Sequence, residues 1–293
     1  MRAGAVAIDS TWLLDWRALG APPRLRALRD GLVLAGLIFG VYLFAIEAPI
    51  TKTVGFDAFS YWRIDMAHPY AVPIGGLGAF PYTPVAVRAF AFSALLSWQA
   101  FLWLWLAVLV ATATWLGGRS ALLVFAFPPV AVELYHGNLN LLIAAAIALG
   151  FRYPASWAFV LLTKLTPGVG LLWFAVRREW RSLAIALVVT GIVFAISVAV
   201  DGSLWLQFLT NRIESTATAS VGGPSLPVPL AVRLVLAAIL VAWGARTDRR
   251  WTVVVGATLA TPVLWFESLS ILTALVALNR PELRERPPLR RPA

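Results

Sequence analysis

Apolar residues along this chain come in long runs, near 31–48, 83–97, 98–117, 120–135, 138–151, 154–176, 180–200, 228–245, 251–266 and 268–279. A half-buried strand would alternate with period two, and a soluble amphipathic helix would keep a polar stripe. These runs are apolar on all faces, which predicts an all-α, polytopic integral membrane protein of about ten transmembrane or re-entrant helices. A transmembrane barrel would need alternating ten-residue strands, a pattern the sequence does not have. Several runs are shorter than the roughly 20 residues that cross a 30 Å hydrocarbon core, so tilt or local thinning is expected. Two are weak as crossings: 83–97 holds Arg88, and 120–151 is interrupted by His136-Gly137-Asn138. Either could be re-entrant, because irregular backbone at membrane depth is tolerated where protein or a cavity surrounds it.

Composition agrees. Hydrophobic residues make up 60% and charged residues 13%, about half the charge of a soluble domain of this length. The net charge of +10 comes from 22 Arg and two Lys set against 14 acids. The basic residues cluster at the ends of apolar runs, as topology signals do, and this distribution argues against nucleic acid as a partner. With the Arg24/Arg26/Arg29 end in the cytoplasm and each run counted as one crossing, three later Arg clusters also fall inside: 177–181, 246–250 and 280–291. Asp57, Asp65, Asp201, Glu214 and Glu267 then fall outside, and two long outer loops result, 49–82 and 201–227. The expected domains are a cytoplasmic segment 1–30, a membrane domain 31–280 and a disordered cytoplasmic tail 281–293, in the plasma membrane. The run from Gly31 reads as a retained first span and not a cleaved signal, being too long and without a small-residue cleavage site. There is no cysteine, hence no disulfide and no thiolate chemistry. The two histidines, His68 and His136, are too few and too separated in sequence to argue for a His-based metal site, so no metal and no cofactor is expected.

Four polar breaks carry the candidate chemistry. The first outer loop holds Asp57 and Asp65 among Phe56, Phe59, Tyr61, Trp62 and Met66, followed by Phe80-Pro81-Tyr82-Thr83-Pro84. Eight residues is about two helical turns, so one amphipathic helix would put both acids near one face, with the aromatic stripe on the bilayer. An interfacial anchor whose acids face water is one reading. In the other, Asp57 is a general base that removes a hydroxyl proton during attack on a sugar. The second break, Tyr135-His136-Gly137-Asn138-Leu139-Asn140, offers the amides of Asn138 and Asn140 to a sugar or to free backbone ends. The third is Lys164-Leu165-Thr166-Pro167. Lys164 is the lone lysine within an apolar run, where a charge costs several kcal/mol and marks a functional site unless it snorkels to the surface. A lipid-linked phosphate would explain a cation at that depth. The fourth, Thr261-Pro262-Val263-Leu264-Trp265-Phe266-Glu267, places Trp265 and Glu267 at an outer membrane edge. Glu133, inside an apolar run, is read as the partner of an Arg.

In this order the breaks resemble the GT-C superfamily of polytopic glycosyltransferases, and within it glycosyltransferase family 87. That pattern is an Asp in the first outer loop, Phe-x-Tyr-x-Pro, a Gly-Gln/Asn-x-Asn break, Lys-x-x-Pro, a basic Arg-Arg-x-Trp-Arg turn (here Arg177-Arg178-Glu179-Trp180-Arg181) and a late Ser/Thr-Pro-x-x-Trp. The resemblance covers about 31 to 280. It departs at Glu267-Ser268, where members usually carry His, and in the chain's shorter length. It implies an inverting hexosyltransferase that takes mannose from a polyprenyl-phosphate donor to a lipid or glycan acceptor on the extracytoplasmic side. Asp57 would then be catalytic. Lys164, with Arg63 or Arg152, would hold the departing phosphate. Tyr61, Trp62, Tyr82, Asn138, Asn140, Trp265 and Glu267 would line the donor and sugar site. Two other classes fit part of the pattern: a transporter or flippase of a lipid-linked or small polar substrate, which would show paired halves that are not evident here, and a non-catalytic membrane assembly partner.

Overall fold

Three apolar runs have few breakers and form long helices. In the computed structural model, which describes residues 23–73, 76–218, 228–280 and Leu283, the first is α1 (Pro23–Tyr42). It continues through a π-helical turn at Leu43–Glu47 into α2 (Ala48–Thr51) and stops at Lys52 in the left-handed region (φ 56°). A seven-residue helix α3 (Phe56–Trp62) follows in the first outer loop, and α4 (Pro84–Ala89) opens on a proline at its first position. The second long helix, α5 (Trp98–Gly117), is capped by Ser97, whose hydroxyl accepts from Ala100 N at 3.3 Å. Beyond it the chain breaks at each Pro and Gly cluster into α6 (Ala121–Phe125), α7 (Pro128–His136), α8 (Asn140–Gly150), α9 (Trp157–Thr163) and α10 (Leu172–Val176). The third long helix is α11 (Trp180–Thr218), and α12 (Leu230–Arg246), α13 (Trp251–Leu259) and α14 (Ala274–Leu278) complete the set. The described residues contain helices and turns and no strand.

Three stretches are long and apolar enough to cross a bilayer: Arg26–Thr51, Trp98–Phe125 and Trp180–Asn211. A fourth crossing results if α7 and α8, bent by 118° at Gly137–Leu139, count as one. The chain is therefore an all-helical membrane protein with three or four such spans. The other expected crossings are shorter helices: 84–95 for the run 83–97, 154–163 and 166–176 for 154–176, α12 for 228–245, α13 for 251–266, and 266–278 for the last run. The reason is local: prolines at 84, 128, 129, 154, 167 and 262 remove amide donors and end helices that the apolar run alone would continue.

Burial separates lipid-facing from protein-facing elements. Leu32, Ile38 and Val41 on α1 and Val188, Ile192, Ile196 and Val200 on α11 are large, apolar and exposed, a surface that only lipid satisfies. The centre is α8, whose Leu141, Ile143, Ala144, Ile147 and Ala148 are all fully buried, as expected of a helix apolar all round. It packs against α5, α9, α14 and the 3₁₀ segment Phe266–Thr273.

Several outer-loop expectations change. The second outer loop is helical as far as Thr218, with a kink at Asp201 (φ −139°, ψ 52°) whose carboxylate pairs through both oxygens with the Arg88 guanidinium. That bidentate pair accounts for the arginine in the 83–97 run. Asn211 donates to Tyr70 O at 3.1 Å, so it ties the two outer segments together. The Glu214 side chain, Gly222-Gly223-Pro224, residues 1–22 and the tail apart from Leu283 lie outside the described residues.

Candidate active site

The first outer loop is held on α7 by a small polar staple. Thr51 and Thr53 hydroxyls meet the Tyr135 hydroxyl at 2.7 and 2.8 Å, and Gly55 N donates to Tyr135 O at 2.7 Å. Gly55 takes φ 77°, which starts α3 and sets Asp57 in its first turn. Ala58, Ser60 and Tyr61 bury the inner face of α3 against α5 and α7. Tyr61 stacks on Phe90 at 4.7 Å and meets Phe80, Tyr82 and Trp105 edge-on. This aromatic nest fixes the rotation of α3, so it decides where Asp57 points. The helix is thus docked on protein and only its rim (Phe59, Trp62) meets Trp98. It ends at Trp62, shorter than expected, because Arg63 leaves helical geometry (φ −96°, ψ 32°). Asp65 consequently does not share a helix with Asp57. It is exposed, accepts from Ala67 N at 2.9 Å and lies 3.6 Å from His68.

The break after α7 supplies the partner of Asp57. Gly137 closes the helix at φ 73°, its N bonded to Glu133 O at 2.8 Å and its carbonyl accepting from Trp105 Nε1 at 2.7 Å. The turn aims Asn138 at α3, where Nδ2 donates to Asp57 Oδ2 at 2.7 Å. Asn138 Oδ1 accepts from Leu139 N at 2.6 Å and from the Tyr82 hydroxyl at 3.3 Å, and Tyr82 reaches the Tyr61 hydroxyl at 3.0 Å. One Asp57 oxygen is therefore held by an oriented amide. Burial pushes the half-buried Asp57 carboxyl above the ordinary carboxylate range, while the Asn138 bond and the charges of His136 and Lys164 pull it back down.

A second chain of contacts runs through the same break. Glu133, fully buried, accepts from Asn140 Nδ2 at 2.9 Å and from Leu141 N at 3.2 Å. Asn140 Oδ1 accepts in turn from Lys164 Nζ at 2.7 Å. Lys164 terminates α9 in extended geometry (φ −132°, ψ 106°), Pro167 keeps the chain from re-entering the helix, and the preceding turn is pinned by the Thr83 hydroxyl on Leu162 O. So Lys164 is half-buried inside the protein and bonded there, not snorkelling to a surface. Among the described residues no Arg pairs with Glu133, contrary to the expectation; across the α7–α8 bend its carboxylate takes Asn140 and the Leu141 amide instead.

The late break is opened from below by Arg233 on α12. Its buried guanidinium donates at 2.7–3.0 Å to the carbonyls of Leu259, Thr261 and Pro262, acceptors left free where α13 stops, and to Val228 O just before α12. The chain emerges at Trp265 and returns inward with Glu267 buried in the first turn of a 3₁₀ segment. One ligand-type atom each from Asp57, His136 and Glu267 lie within 4.8 Å of one another.

The structure thus brings together Asp57, Tyr82, Asn138, Asn140, Lys164 and Glu267 from five separate segments. The other expected site residues stand behind or beside this set. Tyr61 is part of the buried nest, behind Tyr82. Trp62 donates Nε1 to Leu96 O at 2.9 Å, and Arg63 is exposed over the Phe59 ring. Arg152 lies over Tyr153, and Trp265 is half-buried beside Glu267. Two members were passed over in the sequence: Glu133 and His136. The signal for both was their position in the last turn of a helix ending at a Gly-Asn break. Chemically, the cluster offers an oriented carboxylate and a lysine in a site largely shielded from water.

The sequence pattern of glycosyltransferase family 87 matches residues 80–279, more than half of the chain, and the chain belongs to that family. No curated protein and no solved structure matches it.

Proposed function

We propose that this membrane glycosyltransferase of family 87 moves a hexose, mannose, from a polyprenyl-phosphate donor to a lipid or glycan acceptor with inversion. The observation that carries the reading is the pair of linked contacts Asn138–Asp57 and Asn140–Lys164, which set a carboxylate and a cation beside each other from one two-sided turn. An acceptor hydroxyl oxygen attacks the anomeric carbon from the face opposite the phosphate. The new C–O bond forms as the old one breaks, and its electron pair leaves with the phosphate. Asp57 takes the hydroxyl proton; Asn138 keeps the carboxylate turned so that its other oxygen meets the acceptor. Lys164 offsets the negative charge that grows on the departing phosphate oxygen, an effect strengthened where water is excluded. Asn140, fixed from behind by Glu133, keeps the ammonium in place.

In this reading residues 31–280 form one GT-C-like domain of about ten transmembrane or re-entrant helices in the plasma membrane. The N-terminus and Arg177–Arg181 are cytoplasmic and Asp57 faces outward. Single cysteines introduced into this cysteine-free chain test the orientation: an impermeant reagent should react from outside near Asp57 and not at position 179. The deciding experiment for function is incubation of the purified protein with radiolabelled polyprenyl-phosphate-mannose and membrane extract. Label transferred to a new product supports the enzyme. Label that crosses sealed vesicles without a new bond points to a transporter, and neither result points to an assembly partner.

A further inference from the structure

The cluster gathers three carboxylates about a single lysine. Asp57, Glu133 and Glu267 each interact electrostatically with Lys164, and Asp57 and Glu267 also with His136. Buried carboxylates are costly to ionise without a compensating cation. Glu133 has its hydrogen bonds to Asn140 and Leu141. Glu267 does not share in them: it is nine-tenths buried, and its carboxylate turns back on its own backbone N–H. Beside it stands His136, half-buried, its ring tilted on Phe56 at 6.3 Å and edge-on to Tyr135 at 5.5 Å, which holds the imidazole in one place.

We infer that Asp57, His136 and Glu267 form a divalent-cation site. Their ligand atoms already lie within 4.8 Å of one another. Ligand atoms about 2.0–2.2 Å from a metal can be no more than twice that apart, so small side-chain rotations close the shell. A dication would itself favour the ionised form of the carboxylates that ligate it. The donor set selects the ion: carboxylates suit Mg²⁺ and Mn²⁺, whereas an imidazole suits transition metals, so Mn²⁺ is favoured over Mg²⁺. Three protein ligands leave open positions. Resting on the glycosyl-transfer reading, an anionic phosphate oxygen of the donor fills one of them, between the ion and Lys164. A carboxylate offers about four lone-pair sites, so ligation and the Asn138 bond leave Asp57 room for the acceptor proton.

The test uses the full chain in detergent with Mn²⁺ alone, followed by electron paramagnetic resonance. One bound Mn²⁺ per chain is expected, with binding weakened at least about tenfold in Glu267→Gln and in His136→Ala and unchanged in Asp65→Asn, an exposed residue outside the cluster. His136→Cys keeps the proposal testable if the alanine variant folds poorly. A thiolate turns the preference toward Cd²⁺, and its charge-transfer absorption has no other source in a cysteine-free protein. Absence of a bound Mn²⁺ in the wild type, or wild-type binding in both Glu267→Gln and His136→Ala, overturns the site. Sugar transfer that survives chelation in a protein binding no Mn²⁺ sinks the cation site and leaves the transferase standing. Mn²⁺ binding with no sugar transferred upholds the site and sinks the transferase reading.

Discussion

Gly137→Ala should loosen the whole cluster, because one small residue separates α7 from the helix that carries Asp57. Two costs add. A side chain at φ 73° sits in the left-handed region, at about 1–2 kcal/mol for an L-residue. A Cβ there would come 2.8 Å from the Ala58 Cβ, against the 3.5–4.0 Å of ordinary carbon contacts, and overpacking of that kind costs about 1–3 kcal/mol. The sum is about 2–5 kcal/mol, a fall of at least about 4 °C in the unfolding midpoint for a chain of this size. The 14 tryptophans make intrinsic fluorescence a sufficient probe of the transition in detergent. Activity should fall further than stability. To relieve the overlap α3 must move away from Asn138, and a shift near 1 Å at a reacting group is worth about 10²-fold. Ala58→Gly in the same chain removes the overlap but not the backbone strain. The double variant should therefore regain about 1–3 kcal/mol over the sum of the single effects, a sum that already contains the roughly 0.5–1 kcal/mol for glycine in a helix. An unchanged midpoint and rate in Gly137→Ala would refute the reasoning, and a strictly additive double variant would remove the Ala58 contact as its cause.

Asp57→Asn should leave a folded, donor-binding protein whose single-turnover transfer is slower by about 10²–10⁴-fold, while Asp65→Asn stays within a few-fold of wild type. A severe loss in Asp65→Asn with Asp57→Asn near normal would reverse the assignment. Lys164→Met should weaken donor binding and Lys164→Arg should retain part of it, since a phosphate contact responds to charge more than to shape. Equal donor affinity in wild type and Lys164→Met, measured by titration, would take the phosphate away from this residue. Arg233→Met strips the donor from four carbonyls and, at about 1 kcal/mol each, should cost about 4 kcal/mol in unfolding experiments, with Arg233→Lys intermediate. Thermal midpoints of Arg233→Met within a degree of wild type would mean that those carbonyls find other partners.

What the sequence displays of this site is its set of breaks. Each Pro or Gly that ends a helix inside an apolar run frees backbone groups, and those groups attract polar side chains, so Asn138, Asn140, Lys164 and Glu267 all stand out against their surroundings. Helical class and the three long spans are visible for the same reason in reverse, as runs without breakers. Periodicity fails across a break. Glu133 and Asn140 are seven apart, which on one straight helix would be an ordinary two-turn spacing, but the chain bends by 118° between them and the carboxylate faces inward to the amide that holds Lys164. Distance along the chain misleads in the same way for His136, 79 residues beyond Asp57 and yet within ligand reach of it. Asp57 and Asp65 show the opposite error, since eight residues implied a shared face and the helix ends between them. Breaks therefore mark where a membrane protein can afford polar groups, while the turn geometry at each break, set here by Gly55 and Gly137, decides which of those groups meet.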